Sequence, residues 1–269
     1  MGKMVITSAQ NPQIKHLIKL RDRRTREAEG LALVEGGDEV ALALAAGRKP
    51  TAAWLCPELP RFNKQPGLRA DLAARGVPIT EVSAVVFAKI AYQENPDGWL
   101  VVVPALRPTL DSLVLPKTPL VLICEAIEKP GNLGAMLRTA DAAGAHALIV
   151  CDAVTDVNNP NVVRASRGAV FSVPLAVTTS AEAVAWLHTR GIRILAATPA
   201  ATQTYTDVDL RGPVAIAVGT EETGLSAGFM AQADLAVRIP MVGHVNSLNV
   251  SASAALLLYE AVRQRQSGF

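Results

Sequence analysis

Asn132, Arg138, Glu221, Ser247 and Asn249 are the residues of this chain whose types and surroundings could do chemistry, and they fall in three stretches. The first reads EAIEKPGNLGAMLRTADAAGA from residue 125 to 145. There Gly131 and Gly134 permit tight turning and close ligand approach, Asn132 is a predicted helix N-cap, and Arg138 lies within the first turns of the helix. Such a helix start can face an anion. The second stretch, GTEETGLS at 219–226, brackets Glu221 and Glu222 with glycines. A carboxylate at the C-terminal end of a central parallel strand can orient a cation or a ligand hydroxyl. The third, IPMVGHVNSLNVSASAALLLYEA at 239–261, offers Ser247, Asn249 and Ser251 ahead of an apolar helix whose start is expected to be buried. Each stretch alone has a plainer reading: a strand-to-helix connection with a solvent arginine, an exposed acidic turn, and side chains that merely cap a helix.

Short apolar runs precede these stretches and would position them. Runs at Leu120–Cys124, Ala147–Cys151, Val173–Val177, Ile192–Ala196, Val214–Val218 and Ala236–Ile239 read as strands, with helical spacing at Leu133–Ala143 and Ala181–Arg190 between them. That alternation predicts crossovers and a largely parallel sheet covered on both faces. Upstream, runs at Leu31–Val34, Ala52–Leu55 and Leu100–Val103 alternate with helical spacing at Glu39–Ala46 and Leu68–Ala74, a second and smaller α/β unit. Prolines at 104, 108, 116 and 119 mark a linker between the two.

The composition bounds what such a molecule can be. With 269 residues, half of them hydrophobic, the chain can bury two modest cores. A net charge of +2 excludes a polycation, so any nucleic-acid surface is a local patch. Cys56, Cys124 and Cys151 lie far apart, which argues against a disulfide framework or a zinc site and predicts no metal. The opening MGKMVITSAQNPQ lacks the apolar core of a signal peptide, and no stretch approaches membrane-spanning length, so a cytoplasmic protein is expected. The dinucleotide fingerprint G-x-G-x-x-G is missing, which disfavours a Rossmann-type enzyme.

Taken together, the segments NLGAMLRTA (132–140), GTEETGLS (219–226) and IPMVGHVNSLNVS (239–251) resemble, in order, spacing and residue type, the three signature motifs of the SpoU/TrmH family of SPOUT methyltransferases. The stretch NPQIKHLIKLRDRRTREAEGLALVEG (11–36) looks like the opening of the ribosomal-protein-like substrate-binding domain that many members carry. The resemblance implies an RNA-binding α/β domain over residues 1–103, a linker at 104–118 and a methyltransferase domain at 119–269 whose chain forms a deep trefoil knot. It also implies S-adenosylmethionine as methyl donor, a homodimer with sites completed by both subunits, and transfer to an RNA ribose 2′-hydroxyl.

Carried over by position, Gly219, Ile239, Met241 and Leu248 are expected to hold the cofactor, and Arg138, Asn132, Glu221, Ser247 and Asn249 to form the catalytic set, with Glu221 orienting Arg138. The N-terminal module points to large-subunit (23S) ribosomal RNA over tRNA, and a catalytically silent RNA-binding protein of the same fold is the remaining rival. Lys15, Lys19, Arg21, Arg23, Arg24 and Arg26 form the densest basic cluster and, with Arg164 and Arg167, are the candidate RNA contacts. Two departures stand out. The loop before the first motif reads Glu128-Lys129-Pro130 where members often have Asp-Pro, and Glu222 stands where glycine is frequent.

Overall fold

The structure, a computed structural model, describes residues 5–266. Its contacts divide the chain into two compact units, one built from residues up to 106 together with 156–172, the other from 107–155 and from 173 onward. The first unit runs β1 (Val5–Ile6), α1 (Pro12–Lys19), α2 (Arg23–Glu29), β2 (Leu31–Glu35), α3 (Gly37–Ala45), β3 (Ala52–Leu55), α4 (Leu68–Ala74), β4 (Ile79–Val82), α5 (Ala84–Ile90) and β5 (Trp99–Pro104). Its five strands lie in the order β1-β4-β3-β5-β2, with β5 antiparallel to both neighbours. Strands β1 and β4 escape the sequence reading because one has two residues and the other, Ile-Thr-Glu-Val, is mostly half-buried.

The basic cluster folds as α1 and α2. Asn11 caps α1 by accepting the Gln13 N–H, and the apolar spacing of Ile14, Leu17 and Leu20 buries one side of it. Asp22 caps α2 in the same way, and Gly30, at φ 65°, ends it in a left-handed conformation.

The second unit begins in the proline-rich stretch, which is less of a linker than its composition implies: Leu110, Leu113 and Leu115 pack against the unit's core. Then follow β6 (Leu120–Glu125), α6 (Pro130–Ala142) and β7 (Ala147–Cys151). The short helix α7 (Pro160–Ala165) and residues 156–172 around it belong to the first unit, where Arg26 pairs with Asp156 at 2.8 Å and the Asn158 side chain bonds both the N–H and the carbonyl of Leu106. The chain resumes the second unit with β8 (Leu175–Thr178), α8 (Ser180–Thr189), β9 (Arg193–Ala197), β10 (Val214–Val218), α9 (Ala227–Met230), β11 (Leu235–Val237) and α10 (Val250–Gln266).

All six strands of this sheet are parallel, in the order β11-β9-β10-β6-β7-β8. Alternate residues such as Val121, Ile123, Ala215 and Ala217 pack against Ala183, Val184 and Leu187 of α8 and Phe229 of α9. Helices α6 and α10 pack against each other and against the sheet, so the sheet is covered as expected. Because β6 and β10 are central neighbours, β11 lies two strands from β10 and all are parallel, the loops after all three leave the same edge. Among the described residues no helix is long and apolar enough to cross a membrane.

Candidate active site

The loop after β6 turns through Ala126 in a left-handed conformation (φ 52°) and enters α6 at Pro130, with Lys129 as the N-cap. Asn132 is therefore not the cap predicted from sequence. Proline is favoured at the first helical position, so the helix starts three residues earlier and takes Gly131 into its first turn. That shift frees the Asn132 side chain for a different role. Its Nδ2 donates to Glu221 Oε1 at 3.0 Å, and Asn249 Nδ2 donates to the same oxygen at 2.6 Å and to Asn132 Oδ1 at 3.2 Å. Lys129 Nζ donates to Glu221 Oε2.

One carboxylate on the second loop thus gathers donors from the first and the third. Hydrogen bonding to Lys129, then to Asn132, holds the Glu221 carboxyl below its ordinary pKa, with Asn249 adding to the effect; the Lys129 ammonium is correspondingly raised. Asn249 also caps α10, its Oδ1 accepting from the Ser251 N–H (3.0 Å) and hydroxyl (2.6 Å). The first residue of α10, Val250, is buried as its apolar sequence implies, but the polar segment ahead of it is not. Residues 242–249 are exposed and burial begins at Val250, because the segment ahead of the helix forms the wall of a cavity instead of packing into the core.

That cavity, of about 360 Å³, adjoins the carboxylate cluster. Gly219, Ile239, Met241 and Leu248 all line it, as do Glu221 and Ser247. Gly219 is required by close approach: a Cβ there would lie 2.1 Å from the Gly224 carbonyl oxygen. The two residues face each other across a tight loop closed by paired Thr220 and Gly224 backbone bonds, with Gly224 at φ 71°. Apolar walls, exposed backbone and one glycine-lined cleft suit a flat, partly apolar ligand carrying hydrogen-bonding edges.

Two residues that sequence reasoning missed belong to this arrangement. Lys129 stood out only as a departure from the family pattern. Glu125, the buried last residue of β6, accepts the Ser226 N–H and hydroxyl, both at 2.7 Å, and the Ser180 hydroxyl at 2.8 Å, tying the end of the 219–226 loop to the sheet. A glutamate ending an apolar strand was the available signal.

Arg138 is not joined to the cluster. It is exposed on α6 and has no hydrogen-bond or ion-pair partner among the described residues. The expected Glu221–Arg138 bond is replaced by Glu221–Lys129. Six residues separate Asn132 from Arg138, which puts their side chains roughly 120° apart around the helix axis, on different faces.

The model of the SpoU rRNA methylase family matches residues 119–259, the stretch that contains every element of this site, and that of an MRM3-like substrate-binding domain matches 11–101. The chain belongs to the SpoU rRNA methylase family. It is 36% identical to an uncharacterized tRNA/rRNA methyltransferase of Synechocystis, over 97% of this chain and 94% of that one. It is 31% identical to a 23S rRNA (uridine(2479)-2′-O)-methyltransferase of Streptomyces viridochromogenes, over 97% and 92%. The AdoMet-bound rRNA methyltransferase of Sinorhizobium meliloti superposes with a TM-score of 0.86 at 28% identity, covering 97% of each chain.

In this SpoU-family chain all eight candidate RNA contacts fall in the first unit. Arg26 is not one of them in any accessible sense. It is 2% exposed, pairs with Asp156 and donates to the carbonyls of Leu20 and Arg21, a structural role that spacing alone could not separate from a surface charge. Arg23 pairs with Glu27, Arg21 stacks over the Tyr92 ring at 4.5 Å, and Lys15, Lys19 and Arg24 face solvent. Arg164 is exposed on α7, and Arg167 reaches Asp38 at 3.2 Å.

Proposed function

We propose that this chain is an S-adenosylmethionine-dependent methyltransferase acting on the 2′-hydroxyl of a ribose in large-subunit ribosomal RNA. The observation that carries the reading is the Glu221 carboxylate cluster set against a cavity lined by Gly219, Ile239, Met241 and Leu248. Those four residues would hold the cofactor, Gly219 because no side chain fits between the strand end and Gly224. When bound, S-adenosylmethionine supplies an electrophilic methyl group on a sulfonium.

The protein's own task is to present the ribose and handle charge. Asn132 and Asn249, each fixed to Glu221, can bond the ribose hydroxyls and aim the 2′-oxygen. Glu221, with its depressed pKa, is a poor base, and the guanidinium of Arg138 offers only donors. Arg138 instead stabilises negative charge developing on the 2′-oxygen or binds the adjacent phosphate, and the 2′-hydroxyl proton is released to solvent water. Its separation from Glu221 along α6 supports a homodimer in which it completes the partner's site, and the exposed Leu256 and Tyr259 on α10 supply an apolar face for pairing. The reading includes the family's trefoil knot, threaded through the loops that meet at the cavity, and an rRNA substrate implies a cytoplasmic site of action.

Transfer of tritiated methyl groups to ribosomal RNA and tRNA in parallel, followed by mapping of the modified nucleotide, tests the substrate. Label confined to tRNA overturns it. Arg138→Ala is expected to lose at least about a hundredfold in transfer rate, the scale of one lost oxyanion donor, while S-adenosylhomocysteine binding by calorimetry stays unchanged.

A further inference from the structure

Lys129 sits where the local rules of helix formation do not want a cation. It is the N-cap of the 13-residue α6, makes no side-chain capping bond, and no acidic residue follows in the first turn. A positive charge there opposes the helix dipole, which favours anions at this end. Its reward is the contact with Glu221, yet that contact is exposed: the lysine side chain is 67% accessible, and ion pairs of this kind contribute little. A residue that breaks a local rule without a compensating structural gain marks a functional position.

Glu221 does not need the lysine to stay satisfied. Asn132 and Asn249 both donate to its Oε1, whereas Lys129 meets only Oε2. Lys129 is also the one cation that touches this cluster among the described residues, and none of the residues lining the adjoining cavity is basic. A polyanion approaching the cavity therefore meets a carboxylate whose charge is cancelled by Lys129 alone.

We propose that Lys129 is a substrate-binding residue that exchanges the Glu221 carboxylate for an RNA phosphate next to the target ribose. In the free enzyme it offsets the charge of Glu221 at the mouth of the site, beside the second carboxylate of Glu222. On RNA binding its long, exposed side chain swings to the phosphate, and Glu221 keeps the two amides that aim the ribose. This rests on the reading of the chain as an RNA methyltransferase.

The test is equilibrium binding of in vitro transcribed large-subunit rRNA, by filter binding between about 50 and 300 mM KCl, to wild type, Lys129→Ala and Lys129→Arg. Loss of one phosphate contact is expected to lower the slope of log K against log [salt] by about 0.7–0.9 in the alanine variant, with the arginine variant keeping the wild-type slope. KM for RNA should rise about tenfold in Lys129→Ala with kcat within about twofold, and S-adenosylhomocysteine binding should be unchanged. An unchanged salt slope in Lys129→Ala overturns the proposal. So does weakened S-adenosylhomocysteine binding with RNA binding retained, which makes Lys129 a strut of the loop. The slope is read from binding, so it tests Lys129 independently of turnover, whereas wild-type inactivity on both rRNA and tRNA overturns only the functional reading.

Discussion

At the scale of single residues, the site depends on side chains whose identity the backbone or a neighbour dictates. Gly219 is the clearest case. A Cβ at this position would overlap backbone atoms of Gly224 and Leu225, between 2.1 and 2.3 Å away, and backbone cannot give way as a flexible side chain can. Gly219→Ala is therefore expected to open the 219–226 loop, distort the cavity wall and lower S-adenosylhomocysteine affinity by about five- to a hundredfold, on the scale of a 1–3 kcal/mol strain carried into binding. Calorimetry reads this directly, and an affinity within twofold of wild type refutes it. The amides Asn132 and Asn249 are constrained differently: with both Nδ2 groups on one carboxylate, their carbonyl oxygens are oriented toward Asn249 and the α10 N-terminus respectively. This triangle could not be read from sequence, because its corners lie 89 and 28 positions apart and meet only through the sheet order.

At the scale of elements, charge burial decides stability. The side chains of Arg26 and Asp156 are 3% and 10% exposed and join α2 to the segment 156–172 of the same unit. Arg26→Ala leaves Asp156 buried without its partner and is expected to cost about 3–5 kcal/mol. Lys19→Ala and Arg24→Ala, on exposed positions, should change stability by less than about 0.5 kcal/mol and instead weaken RNA binding. Thermal melts of the three variants separate these roles. At the end of β2, burial pushes the Glu35 carboxyl up to about 7, against the lowering effect of the Tyr92 and Gln93 N–H groups that it accepts. A raised folded-state pKa means that this group's contribution to stability is present below its unfolded value and lost as pH rises to about 7. The first unit should then lose on the order of 2–3 kcal/mol between pH 5 and pH 8 from this residue, and Glu35→Gln should flatten that part of the profile. The strands of both sheets were largely legible because buried strands read as apolar runs, three of them (β3, β7, β10) to the residue. Less legible was Arg26, since a basic cluster carries no mark of which member faces inward, and so was the membership of residues 156–172, which depends on contacts remote in sequence.

At the scale of the whole molecule, the separation between Arg138 and the Glu221 cluster becomes an argument about assembly. Both belong to the second unit, yet the arginine projects from a different face of α6 and finds no partner within its own chain among the described residues. An exposed apolar pair, Leu256 and Tyr259 at 41% and 50% accessibility, lies one helical turn apart on α10, the helix packed against α6. If the pairing face is built from these two helices, two-fold symmetry carries the Arg138 of each subunit toward the other's cluster. Complementation decides the matter. Arg138→Ala and Asn249→Ala are each expected to be inactive as homodimers. In a mixed dimer with shared sites, one site carries both lesions and the other carries neither, so an equimolar mixture, unfolded and refolded together, should recover about a quarter of wild-type methyl transfer. Sites contained within one chain recover nothing, because every site then retains a lesion. Leu256→Glu with Tyr259→Glu should abolish recovery and yield a monomer by light scattering, which distinguishes a shared site from one that merely adjoins the interface.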